Sequence, residues 1–203
     1  MQRRKTMDEN RVSVPADPGG AMLFVFSMEV ISFWAVYLDV FSEGTYLVLG
    51  CLMLAVYPVY LIGAFIYYKR NDAYMGNCYF IFGSLFGGIF GLIYIALHFG
   101  FLFGWDMNIS ILAIPMFWGS LAVFALLKPM LKGPVIPLVV YGIAAIWLFT
   151  YGLELLSVGS LIIFTVNKYL SLIVGVGTAY LFVNDLLLSA GDRGLPMGPL
   201  LGH

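Results

Sequence analysis

Six long apolar stretches constrain this chain more than any other feature. They run from Gly20 to Phe41, Tyr46 to Tyr68, Met75 to His98, Ile109 to Leu127, Pro134 to Leu156 and Lys168 to Leu188. A helix needs about 20 apolar residues to cross the hydrocarbon layer of a bilayer, so each stretch is long enough to span it. The stretches are continuously apolar and lack the alternation of a barrel wall, which argues against strands. Helices satisfy their own backbone hydrogen bonds, which lipid cannot do. The sequence therefore predicts an all-α polytopic membrane protein with six transmembrane helices. Residues 1–19 read as a polar segment without a signal-peptide core, 20–189 as the membrane domain and 190–203 as a tail. A seventh apolar patch, Ser160 to Val166, is too short to cross. It reads as a turn of helix lying on or dipping into the membrane surface.

Composition excludes several function classes. Only 10% of the 203 residues are charged and 62% are hydrophobic, whereas a soluble domain carries about 25% charged residues. A water-soluble enzyme does not fit. A net charge of −1 gives a nucleic-acid binder no electrostatic footprint. Cys51 and Cys78 both lie in apolar runs, so neither a disulfide framework nor a zinc site is indicated. His98 is the one histidine in a span and His203 lies in the tail, which gives no bis-histidine haem pair. No Walker loop, HExxH or GxSxG motif is present. No cofactor is expected, and the chain reads as a passive or gradient-coupled conduit rather than an enzyme.

Basic residues set the expected orientation. Arg3, Arg4, Lys5 and Arg11 precede the first span, Lys69 and Arg70 follow the second, Lys128 and Lys132 follow the fourth, and Arg193 follows the sixth. Only Lys168 falls on the other side. Both termini are thus expected in the cytoplasm, with the protein in the cell membrane. Gly83, Gly87 and Gly91 recur every four residues on the third span and form a bare stripe where another helix can approach. Pro58 sits mid-way along the second span and is expected to kink it.

Charged groups within a span are costly and point to function. Glu29 lies near the middle of the first span, with no lysine or arginine at that depth. It reads either as a neutral carboxyl bonded to a neighbouring helix or as part of a conduction path, where it is a candidate for proton sharing. Asp39, Glu154 and Asp185 lie nearer the span ends. Ser27 and Ser32 flank Glu29 and either line a polar strip or bond back to the helix backbone.

The order of features resembles the acetate uptake transporter family, the succinate–acetate permeases and their yeast relatives. That family opens its first span with Asn-Pro-Ala-Pro-x-Gly, and Pro15-Ala16-Asp17-Pro18-Gly19-Gly20 is similar, with one inserted residue. Tyr68-Lys69-Arg70-Asn71-Asp72, Trp118-Gly119, Gly175 and Gly177 with Tyr180-Leu181, and the tail from Asp192 to Gly198 follow in the family's order. The resemblance covers roughly Pro15 to Gly198 and implies a six-helix protomer around a central pore, assembled as a homo-hexamer. It also implies a hydrophobic constriction from spans one, three and five, which the motifs place at Phe24, Phe82 and Ile143. Such a ring excludes hydrated ions by dewetting, with Ser27 and Ser32 as the candidate hydroxyls for a substrate carboxylate. The chain departs from the family at Met28, Glu29 and Phe33, and carries Tyr60 and Tyr67 where the family has Gln and Glu. Glu29 therefore faces away from the path, shares a proton with the substrate, or serves a solute that is not an anion.

The expected function is a channel or proton-linked transporter for acetate or a similar small monocarboxylate. The alternatives are a channel for a small neutral solute such as urea or an amide, and an accessory subunit without transport activity.

Overall fold

A computed structural model describes residues 16–38, 44–158 and 160–201. The expectations for Asp39, Phe41, Pro15, the four N-terminal basic residues and His203 lie outside these residues. Six helices are long and apolar enough to cross a membrane. They are α1 (Gly19–Val36), α2 (Thr45–Lys69), α3 (Ala73–Phe103), α4 (Ser110–Met130), α5 (Val135–Leu155) and α6 (Ser160–Ser189). Among the described residues there is no strand beyond an isolated bridge between Pro134 and Leu200. The chain is an all-helical, multi-pass membrane protein.

The helices close into a ring. α1 packs along α6 and also meets α2, α2 packs on α3, α3 touches α4, α4 packs on α5, and α5 returns to α6. Local chemistry sets the ends. Asp72 caps α3 by accepting from the Met75 amide at 3.0 Å. Gly104, at φ 66°, closes α3 in the left-handed conformation that glycine adopts without strain. α2 runs through Pro58 as one helix. At one end of the bundle, Arg70 pairs with Asp17 at 3.2 Å and so ties the chain entering α1 to the α2–α3 turn. At the same end the tail folds back on the start of α5, where the Val135 and Ile136 amides donate to Pro199 and Met197.

The patch from Ser160 to Val166 is not a separate surface turn. It forms the opening turns of α6, a continuous helix of 30 residues. Asn167 and Lys168 interrupt the apolar run in the sequence. Asn167 is nevertheless fully buried, bonded to Glu154 and Thr150 of α5. Its polarity is satisfied by a neighbouring helix, so the helix has no reason to stop there.

The glycine stripe is a packing surface. A Cβ on Gly83 would lie 2.4 Å from the Tyr60 Cβ, and one on Gly87 would lie 2.8 Å from the Tyr57 Cβ. α2 thus approaches α3 to backbone distance along the stripe. The same stretch, Gly83–Phe90, has π-helical bonding. In an α-helix, residues four apart drift by about 40° per step. The wider i→i+5 turn counters this drift. The glycines stay on the α2 side, and Phe82, Phe86, Phe90 and Tyr94 form a continuous ladder of ring contacts facing the centre.

Candidate functional site

The centre of the ring is aromatic. Phe26 of α1 meets Phe82 at 4.7 Å and Phe86 at 5.4 Å between ring centroids. Phe33, two turns further along α1, meets Phe86, Phe90 and Trp147. Tyr141 of α5 faces Phe82, and Trp147 of α5 stacks on Phe86 at 5.9 Å. All of these rings are buried. They come from α1, α3 and α5, and together they form a waist across the bundle.

A chamber opens at each end of the bundle. One, of about 390 Å³, is lined by the ends of α1 and α5, the starts of α2, α4 and α6, and the later half of α3. Tyr37, Tyr46, Tyr94 and Tyr151 surround it, and Glu154 stands on its wall. The other, of about 670 Å³, lies at the opposite end, where α1 and α3 begin and α2 and α6 finish. Asp17, Asp72 and Asp185 line it. Tyr67 donates to Asp17 there at 2.6 Å and stacks on Tyr79, whose ring leads toward the waist. Among the described residues no lysine or arginine lines either chamber.

The waist also carries polar atoms. Glu29 is 0% exposed and accepts a 2.6 Å hydrogen bond at Oε2 from the Tyr60 hydroxyl. On the helical wheel it lies within about 60° of both Phe26 and Phe33, and between them in height. Among the described residues its Oε1 has no hydrogen-bond partner, nor does Trp147 Nε1. Buried polar atoms are almost always hydrogen-bonded, so two unpartnered ones among these rings are unusual.

The sequence-predicted residues divide between centre and periphery. Phe82 lies at the waist. Ile143 is half-buried and packs against the core, but the α5 ring that reaches Phe82 is Tyr141. Phe24 is 48% exposed and meets the tilted ring of Phe182 of α6 at 5.2 Å, so it faces outward. The α1 ring at the waist is Phe26, about 200° further round the helix. A family pattern cannot show which of two nearby phenylalanines turns inward. Ser27 donates to the Gly175 carbonyl of α6 at 2.9 Å, and Ser32 donates to Met28 in its own helix at 2.8 Å. Both hydroxyl protons are committed, and the structure does not bring either to the waist as a free donor. Tyr60 shows in the sequence as a departure from the family pattern, whereas nothing there separates Tyr141 and Trp147 from the many other aromatic residues.

The chain superposes on the solved structure of the bacterial acetate channel SatP with a TM-score of 0.73, over 91% of this chain and 99% of that one, at 16% identity. The two chains share a fold. No protein-family model and no curated protein sequence matches this chain.

Proposed function

We propose that the protein is a membrane conduit for acetate or a similar small monocarboxylate, which crosses the waist together with a proton. The observation that carries this reading is the pair of unpartnered polar groups, Glu29 Oε1 and Trp147 Nε1, inside an aromatic waist. A methyl or ethyl group suits the rings. A bare carboxylate does not, because moving an unpaired charge into such a waist costs several kcal/mol. Glu29 supplies the remedy. Its carboxyl proton passes to the solute carboxylate, the solute moves on as the neutral acid, and Glu29 takes a replacement proton from the proton-rich side. Trp147 offers its Nε1–H as a donor to a solute oxygen. The fold shared with an acetate channel supports the same substrate class. The reading includes cytoplasmic termini, assembly as a homo-hexamer and residence in the cell membrane, all of which follow from the basic loops and the family resemblance.

One observation favours a second reading, a channel for a neutral solute such as urea or an amide. Carboxyl groups line both chambers, Asp17, Asp72 and Asp185 at one end, where Arg70 pairs with Asp17, and Glu154 at the other, and this excess of acids disfavours an approaching anion. Purified protein in liposomes separates the two. Acetate uptake that rises with an inward proton gradient is the expected result. Urea permeation without acetate uptake replaces it with the second reading. Flux of neither solute removes both and leaves the accessory-subunit alternative.

A further inference from the structure

The chamber beside Glu154 has a chemistry that carboxylate transport does not explain. Its polar centre is one acidic group held in a fixed pose. Tyr37 donates to Glu154 Oε2 at 3.0 Å, and the Asn167 amide donates to the same oxygen. Thr150 bonds the Asn167 carbonyl and so fixes which end of that amide faces Glu154. Both donors use Oε2, and among the described residues no donor takes Oε1. Around this carboxyl stand aromatic faces: Tyr46 stacks on Tyr94 at 5.7 Å, Phe90 on Tyr151 at 5.9 Å, and Tyr37 meets Phe164 edge-on at 5.0 Å. Among the described residues no lysine or arginine lines the chamber.

We propose that this chamber is a binding site for a small organic cation, a quaternary or methylated ammonium. Aromatic faces attract such a cation through their quadrupoles, and the attraction strengthens when water is displaced. A carboxylate on one wall adds a direct charge partner. The volume of about 390 Å³ lies within the range of small-molecule pockets, near its lower end. A compact ammonium with methyl groups contacts several rings at once, whereas an anion meets the acid and the negative ring faces together. Occupancy would also block the approach to the waist through Phe33 and Phe90, which form its floor. The site stands on its own geometry and does not depend on which solute crosses.

The test uses the full-length protein in lipid nanodiscs, with tetramethylammonium as probe and tert-butyl alcohol as its neutral analogue of similar shape. Calorimetric titration at constant ionic strength is expected to show saturable binding of tetramethylammonium and none of tert-butyl alcohol. Glu154→Gln keeps an acceptor for Tyr37 and is expected to weaken binding roughly tenfold or more. Tyr46→Ala, on the half-exposed rim, is expected to weaken it severalfold without touching the buried network. Absence of saturable binding, equal binding of the two probes, or unchanged affinity in either variant overturns the proposal. Because this readout is binding and not flux, it fails independently of the transport reading.

Discussion

Phe82→Ala is expected to open the waist. The Phe82 ring is 1% exposed and bridges Phe26 of α1 to Tyr141 of α5. Removing it leaves a gap the size of a benzene ring where three helices meet. Phe26 and Phe86 are held by their own neighbours, so the gap is only partly refilled. Truncating a buried phenylalanine commonly costs about 3–5 kcal/mol, and a lower melting temperature is expected alongside the functional change. The larger effect is on permeability. Liposomes containing Phe82→Ala are expected to pass longer acids such as butyrate, and to lose an imposed proton gradient at least roughly tenfold faster than wild type, because a wetted waist no longer excludes hydrated ions. Phe24→Ala serves as the control. Its ring is on the outer surface against Phe182, and its flux is expected to match wild type. Unchanged leak in Phe82→Ala, or a leak of equal size in Phe24→Ala, places the path elsewhere.

Glu29→Gln carries the second large effect. Glutamine keeps the shape, and its carbonyl still accepts from Tyr60, so the bundle is expected to fold. It cannot give up and regain a proton. Acetate uptake driven by a proton gradient is expected to fall roughly tenfold or more, about 1.4 kcal/mol per factor of ten, and its dependence on pH to flatten. The direction follows from the proposed step: uptake through wild type rises as the outside is made more acidic, because Glu29 is reloaded from that side, while the variant has nothing to reload. Permeation of a neutral amide needs no proton and is expected to be unchanged. An identical pH profile in wild type and Glu29→Gln returns Glu29 to a structural role, as a carboxyl bonded to α2.

Much of the architecture was legible in the sequence because its governing constraint is simple. Apolar runs of span length have few structural solutions, and five of the six spans follow from length alone. The sixth was cut short at Asn167 and Lys168. Hydropathy scores a polar residue by itself, whereas Asn167 is matched by Glu154 and Thr150 from another helix. The glycine stripe was read correctly as packing, because the spacing of Gly83, Gly87 and Gly91 has a direct steric meaning. Its second consequence, the π-helical segment that keeps Phe82, Phe86, Phe90 and Tyr94 in register, depends on the backbone and leaves no comparable mark in the residues. Glu29 stood out as a lone acid at mid-depth. The site around it did not, because orientation decides which of 34 aromatic residues face the centre. Phe24 and Phe26 are equally apolar and differ in function only by helix rotation.

The most direct test of two chambers separated by a closed aromatic waist is chemical access. In a background with Cys51 and Cys78 replaced by alanine, single cysteines are placed at Ile93 on the wall of one chamber, Ala21 on the wall of the other, and Ala144, a small buried residue between Tyr141 and Trp147 on α5. A membrane-impermeant thiol reagent is then applied from each side of sealed vesicles containing the protein in one orientation. The account predicts that Ile93→Cys reacts from one side only, Ala21→Cys from the opposite side only, and Ala144→Cys from neither. Labelling of both chamber positions from the same side, or of neither from any side, contradicts it.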